Sequence, residues 1–186
     1  MKGKKFRSVF MLTLFLLPVV NLAAEKQFPP TKDKLVCGEA EVVAETVCLD
    51  IPEIETQCQK QTLRLINSIK EVSKYLPQEG KLVKKPSLVK NAVLDAFVTS
   101  WLCLKSESGP LYILLLYTCS WGEENQNCVG YNREWIRIFD MEGHHLTAGL
   151  PKQGGQRREK LYNRLGISKI MEKGVSFQSL KYYPWK

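Results

Sequence analysis

Six cysteines, two adjacent histidines and a scatter of carboxylates are the side chains through which this 186-residue chain could do chemistry. The cysteines are Cys37, Cys48, Cys58, Cys103, Cys119 and Cys128. No Cys-x-x-Cys occurs, which disfavours thioredoxin-like redox chemistry, and the spacings do not match a structural zinc site. An even count suits a disulfide framework in an exported protein. Sequence admits many pairings. The shortest closure between two strands is Cys119–Cys128, across Ser120–Asn127, and the others are expected as Cys37–Cys48 and Cys58–Cys103.

His144 and His145 would point to opposite faces of a strand, so they cannot converge on one metal. Asp140 or Glu142 could join one of them, but the donor count falls short of what zinc needs. Glu123 and Glu124 are consecutive, the wrong geometry for paired-carboxylate hydrolysis, whereas Glu134, Asp140 or Glu142 could meet a distant acid. There is no His-Glu-x-x-His, no Gly-x-Ser-x-Gly and no phosphate-cradling glycine loop. No catalytic residue, metal or cofactor is assigned.

The strongest binding candidate is the loop from Ser120 to Arg133. It carries Trp121, Glu123, Glu124, Asn127, Tyr131 and Arg133. Aromatic residues with Asn and Arg on a stapled loop are the usual material of interface hot spots. The plainer reading is that Trp121 and Tyr131 cover the edge of the core.

The loop is expected to hang from an antiparallel β-meander spanning about residues 96–147. Phe97–Leu104 alternates with period two, and Ser106–Pro110 reads as a turn. Leu111–Cys119 is apolar on both faces, the pattern of a strand covered on both sides by helices or a second sheet. Glu134–Asp140 alternates again, with Trp135, Arg137 and Phe139 on one face and Ile136 and Ile138 on the other. Asp140–Gly143 is a turn, and His144–Thr147 starts a fourth strand. Ahead of the meander three helices are expected. One covers 35–48, where Val36, Ala40, Val43, Ala44 and Val47 recur at helical spacing although Gly38 weakens it. A second covers Ile51–Leu76, with Asp50 as cap and a stripe of Cys58, Thr62, Leu65, Ile69, Val72 and Leu76. A third ends near Leu94. Gln156–Leu165 is a short helix stopped by Gly166, and the aromatic end, including Tyr182, Tyr183 and Trp185, docks on the body. The expected class is α+β: a meander packed with N-terminal helices in one disulfide-stapled domain, 25–186.

Residues 1–24 have the layout of a cleaved signal peptide: Lys2, Lys4, Lys5 and Arg7, then the apolar run Val9–Leu17, then Asn21–Ala24. The chain beyond it has 23 Lys/Arg and 19 Asp/Glu, a net charge of +4. From Pro151 onward there are nine Lys/Arg and two Glu, net +7. That segment could contact an anionic membrane surface, and nucleic acid is improbable in an exported protein. The expectation is a non-catalytic protein of the bacterial periplasm, an inhibitor or immunity protein with a secreted toxin or envelope hydrolase as partner. The alternatives are a carboxylate-dependent envelope hydrolase and an envelope-surface structural factor.

Overall fold

The computed structural model describes residues 26–50, 57–84, 91–120, 133–152 and 154–181. They form a protein that is mostly β-sheet, with two short helices near its C-terminal end. The first sheet contains β1 (Lys26–Gln27), β2 (Thr31–Cys37), β3 (Ala40–Asp50), β4 (Gln57–Asn67) and β5 (Val72–Tyr75). β3 and β4 are its long central pair; β1 and β2 both pair with β3, and β5 with β4. A small ribbon joins β6 (Leu82–Val83) to β7 (Val93–Leu94). The second sheet runs in the order β10 (Glu134–Phe139), β9 (Leu111–Cys119), β8 (Ala96–Lys105), β11 (Gln178–Ser179). Every pairing is antiparallel. Helices α1 (Gln156–Leu165) and α2 (Ser168–Glu172) follow β10.

The meander is present where its alternation places it, and α1 ends as expected, with Gly166 in the left-handed conformation at φ 65°. β9 is covered on both faces. Leu35, Val42, Leu63 and Leu65 of the first sheet share one core with Trp101, Ile113, Leu115, Tyr117, Trp135 and Phe139 of the second. On the far face, Leu104, Leu114 and Ile138 pack with Leu161, Leu165 and Ile167 of the helical segment. The layers are therefore sheet, sheet, helices.

The N-terminal helices do not exist among the described residues; strands stand in their place. Residues 35–48 are a hairpin, and its turn is the Gly38 that a helix would have tolerated poorly. With Cys37 opposite Ala40, Gly38 and Glu39 form a two-residue turn, and Gly38 has φ 60°. From Ala40 to Cys48 the buried residues of β3 are Ala40, Val42, Ala44, Thr46 and Cys48, a period of two, and Leu49 is buried beyond the register shift. The 58–76 stripe mixed both faces of β4 with the following turn, where Ile69 is exposed. Polar Gln61 and Asn67 occupy inward positions beside Leu63 and Leu65, and this disguised the alternation as a helical pattern. Of the expected helix ending near Leu94, residues up to 90 lie outside the described residues and Val93–Leu94 form β7, and the fourth strand is only an isolated bridge between Phe139 and His145.

The pairings Cys37–Cys48 and Cys58–Cys103 are also overturned. The bonds are Cys37–Cys103 and Cys48–Cys58. Cys48 and Cys58 face each other directly across β3 and β4. Cys37, at the end of β2, reaches β8 and ties the two sheets together. Cys119 is disulfide-bonded, while its expected partner Cys128 lies outside the described residues.

A second tie between the sheets is polar. The Gln61 side chain accepts from the Val98 N–H at 2.7 Å and donates to the Val98 carbonyl at 2.9 Å. The register of β8 slips just after Val98, so the amide serves backbone groups at an irregularity of the ladder.

Two outcomes follow. Gln61→Leu, which removes both side-chain bonds to the Val98 backbone, should cost about 1–3 kcal/mol in urea unfolding. Replacing Cys37 and Cys103 by Ala removes a closure of 66 residues, and replacing Cys48 and Cys58 one of 10. The first pair should cost about 4 kcal/mol and the second about 3, a ranking readable by thermal unfolding.

Candidate functional site

The 120–133 loop leaves the second sheet between β9 and β10, so these strands set its footing. Thr118 lies opposite Glu134, and the Cys119 N–H donates to the Arg133 carbonyl at 2.8 Å. Ser120 is held by its N–H to the Asp95 carbonyl at 2.9 Å and by its hydroxyl to the Leu94 carbonyl. The loop is thus clamped to sheet and ribbon at its first residue. Arg133 is exposed at its other end. Trp121, Glu123, Glu124, Asn127 and Tyr131 lie outside the described residues.

Beneath the footing is a polar cluster. Arg137 sits on the inner face of β10 with Trp135 and Phe139, and is 6% exposed. Its charge is met by Glu79, from the connector after β5. Arg137 Nε donates to Glu79 Oε1 and Nη2 donates to Oε2 at 3.1 Å, a bidentate pair, and Trp135 Nε1 donates to the same carboxylate at 2.7 Å. Trp135 stacks on Tyr117 at 5.5 Å on one side. Lys152 Nζ lies 3.8 Å from the Trp135 ring centroid, a cation–π contact. Burial lowers the Lys152 ammonium's pKa, against the opposing pull of Glu79. Tyr117 donates to the Pro77 carbonyl at 2.9 Å, and burial pushes its hydroxyl pKa well up. Sequence reading missed Glu79, Lys152 and Gln61. The available signal was Arg137 on an otherwise aromatic inner face, because a buried charge demands a carboxylate partner.

The other candidates assemble at the opposite end of β10. Asp140 Oδ1 accepts from the N–H groups of Glu142 at 2.9 Å and His144 at 2.8 Å, and Oδ2 lies 2.7 Å from His144 Nδ1. Burial pushes the Asp140 pKa up, but these hydrogen bonds and the imidazole outweigh it, so the net shift is down. One ligating atom from each of Asp140, Glu142 and His144 falls within 4.8 Å of the others. Two of the three are already committed: Asp140 caps the turn, and Glu142 pairs with the Lys70 ammonium, whose pKa this hydrogen bond raises. Lys70 supplies positive charge at this cluster. Asn67 Nδ2 also donates to the Met141 carbonyl at 3.3 Å, so the turn fastens β10 to the β4–β5 corner. Glu134 is exposed on its own, 3.4 Å from the Thr118 hydroxyl. The structure thus joins Asp140 with Glu142 and leaves Glu134 apart from them. His145 points away from His144. It stacks on Phe139 at 4.7 Å and lies 3.1 Å from the Thr147 hydroxyl. Burial lowers its pKa, with Glu79 opposing and Arg137 adding to the decrease.

Glu79→Gln should destabilise the fold by about 3 kcal/mol, because it strands a buried guanidinium, and Glu79→Leu combined with Arg137→Met should recover most of that. Tryptophan fluorescence during urea unfolding reads both. A pH effect follows from His145. Its native pKa lies below 6.5, so the unfolded chain takes up the proton first as pH falls. Stability is full above about pH 6.5 and declines below it, until the native imidazole also protonates. His145→Phe should flatten this slope in thermal unfolding between pH 7 and 5.

The chain matches no protein-family model, no curated protein and no solved structure.

Proposed function

We propose that this protein is a non-catalytic binding protein of the bacterial periplasm, an inhibitor or immunity protein that blocks a secreted toxin or an envelope hydrolase. Its paired cysteines point to an oxidising, extracytoplasmic environment. Among the described residues no helix is long and apolar enough to cross a membrane.

The observation that carries the reading is the footing of the 120–133 loop. A segment holding Trp121, Glu123, Glu124, Asn127, Tyr131 and Arg133 leaves from the ends of two registered strands. One end carries a disulfide-bonded cysteine, and a bidentate ion pair braces the sheet below. Binding residues held on a rigid scaffold lose little conformational entropy on association, which is how a small interface reaches useful affinity. The competing hydrolase reading would need a carboxyl that gives up a proton. Asp140 is held ionised by its hydrogen bonds and Glu142 is paired with Lys70, so both are occupied as structural acceptors.

The test is capture with oxidised protein, residues 25–186, from secreted and envelope fractions of competing bacteria. The expected result is one stoichiometric partner with toxin or hydrolase character, whose activity the protein suppresses. Arg133→Ala and Trp121→Ala should each weaken that complex at least about tenfold, with the unfolding midpoint of Arg133→Ala unchanged. Turnover of peptidoglycan or lipid fragments by the protein alone would overturn the reading in favour of the hydrolase.

A further inference from the structure

The helical layer presents a concentration of positive charge that the loop does not use. α1 packs Leu161 and Leu165 onto the second sheet. Arg157, Lys160 and Arg164 are all exposed on the helix. Their spacing of three and seven residues puts them on one flank. Lys169 and Lys173, also exposed, are four residues apart at α2 and its C-terminal cap, hence on one side of that turn. None of the five forms an ion pair among the described residues. The acids of the layer, Glu159 and Glu172, lie together in the shallow groove between the helices, with Tyr162, Asn163, Ser168 and Met171. Opposite charge is therefore drawn to the groove, and the cationic flank is left uncompensated.

Like charges spaced this closely destabilise an isolated helix slightly and bring no packing return. The chain before residue 151 has the opposite balance: residues 25–150 hold 14 Lys/Arg and 17 Asp/Glu. The molecule is thus polarised, with its excess of positive charge in the segment that forms the layer furthest from the first sheet.

We propose that this layer docks on the surface of an anionic phospholipid bilayer. The argument is charge complementarity. Five exposed cations lie on one layer of a protein whose disulfides point to an oxidising, extracytoplasmic environment. No exposed apolar wedge accompanies them on α1, so the contact is electrostatic, reversible and screened by salt, unlike that of an inserting amphipathic helix. Contact through this layer would turn the first sheet away from the membrane. The proposal is independent of what the 120–133 loop binds.

The test is co-sedimentation of the oxidised protein with phosphatidylcholine vesicles containing about 30% phosphatidylglycerol, against vesicles of phosphatidylcholine alone. Binding to the anionic vesicles only is expected, falling steeply as salt rises above physiological strength. Arg157→Gln with Lys160→Gln and Arg164→Gln should reduce the partition coefficient about a hundredfold, at about fivefold per cation. All three side chains are exposed, so the unfolding midpoint should be unchanged, which separates lost charge from lost fold. Lys32→Gln with Lys60→Gln, on the first sheet, should leave binding intact. Absence of binding at low salt, equal binding to neutral vesicles, or equal loss in both variants would overturn the proposal. So would binding to a soluble acidic polymer without binding to vesicles.

Discussion

Among the fastenings between the two sheets, two at different points set the register on which the rest of the molecule depends. One is covalent, Cys37–Cys103. The other is the Gln61 amide bonded to both backbone groups of Val98. Face-to-face sheets gain most of their stability from non-directional apolar burial, which permits sliding. A directional amide pair and a bond of fixed length remove that freedom. They fix how β4 and β8 sit, and so which residues of β9 and β10 face the shared core. Trp135 and Arg137 can meet Glu79 only because that register is set.

This arrangement makes the second sheet the organising layer. It is apolar on both faces because it has a partner on each: the first sheet on one side and the helices on the other. Arg158 serves the same end without an acid. Buried in the first turn of α1, it donates to the carbonyls of Pro151 at 2.7 Å, Lys152 at 3.0 Å and Ile136 at 3.4 Å. It therefore pins the segment after β10 to the strand, and the helix to both. The loop proposed to bind and the layer proposed to touch lipid both hang on this sheet, one from the β9–β10 connection and one from its outer face.

The polar clusters divide by role. Glu79, Arg137 and Trp135 form a closed set in which each charge has its partner, the condition for leaving ions inside a core. Asp140, Glu142, His144 and Lys70 form an open set at the surface that closes a turn and fastens a corner. Titration of His145, lying between Phe139 and Thr147, adds acid sensitivity to the interior near both.

Part of this was legible in the chain. Alternation in 97–104 and 134–139 reflects a local steric rule, side chains on opposite sides of a pleat, and the unbroken apolar run 111–119 marks a strand covered on both sides, so strands, faces and the double burial of β9 could be read directly. The extent of α1 could be read too, since its stripe and its glycine stop are both local. What could not be read depends on contacts distant in sequence. Gln61 and Asn67 look like solvent positions until β8 and the 140–145 turn come within hydrogen-bonding distance, and their inward placement masked strand β4. Cysteine pairing is decided by which strands lie side by side, so Cys37 found Cys103 across the core rather than Cys48 nearby in sequence. Glu79 gives no local sign of its role. Only the tertiary fold, by placing the connector after β5 against the inner face of β10, turns it into the counter-ion of Arg137.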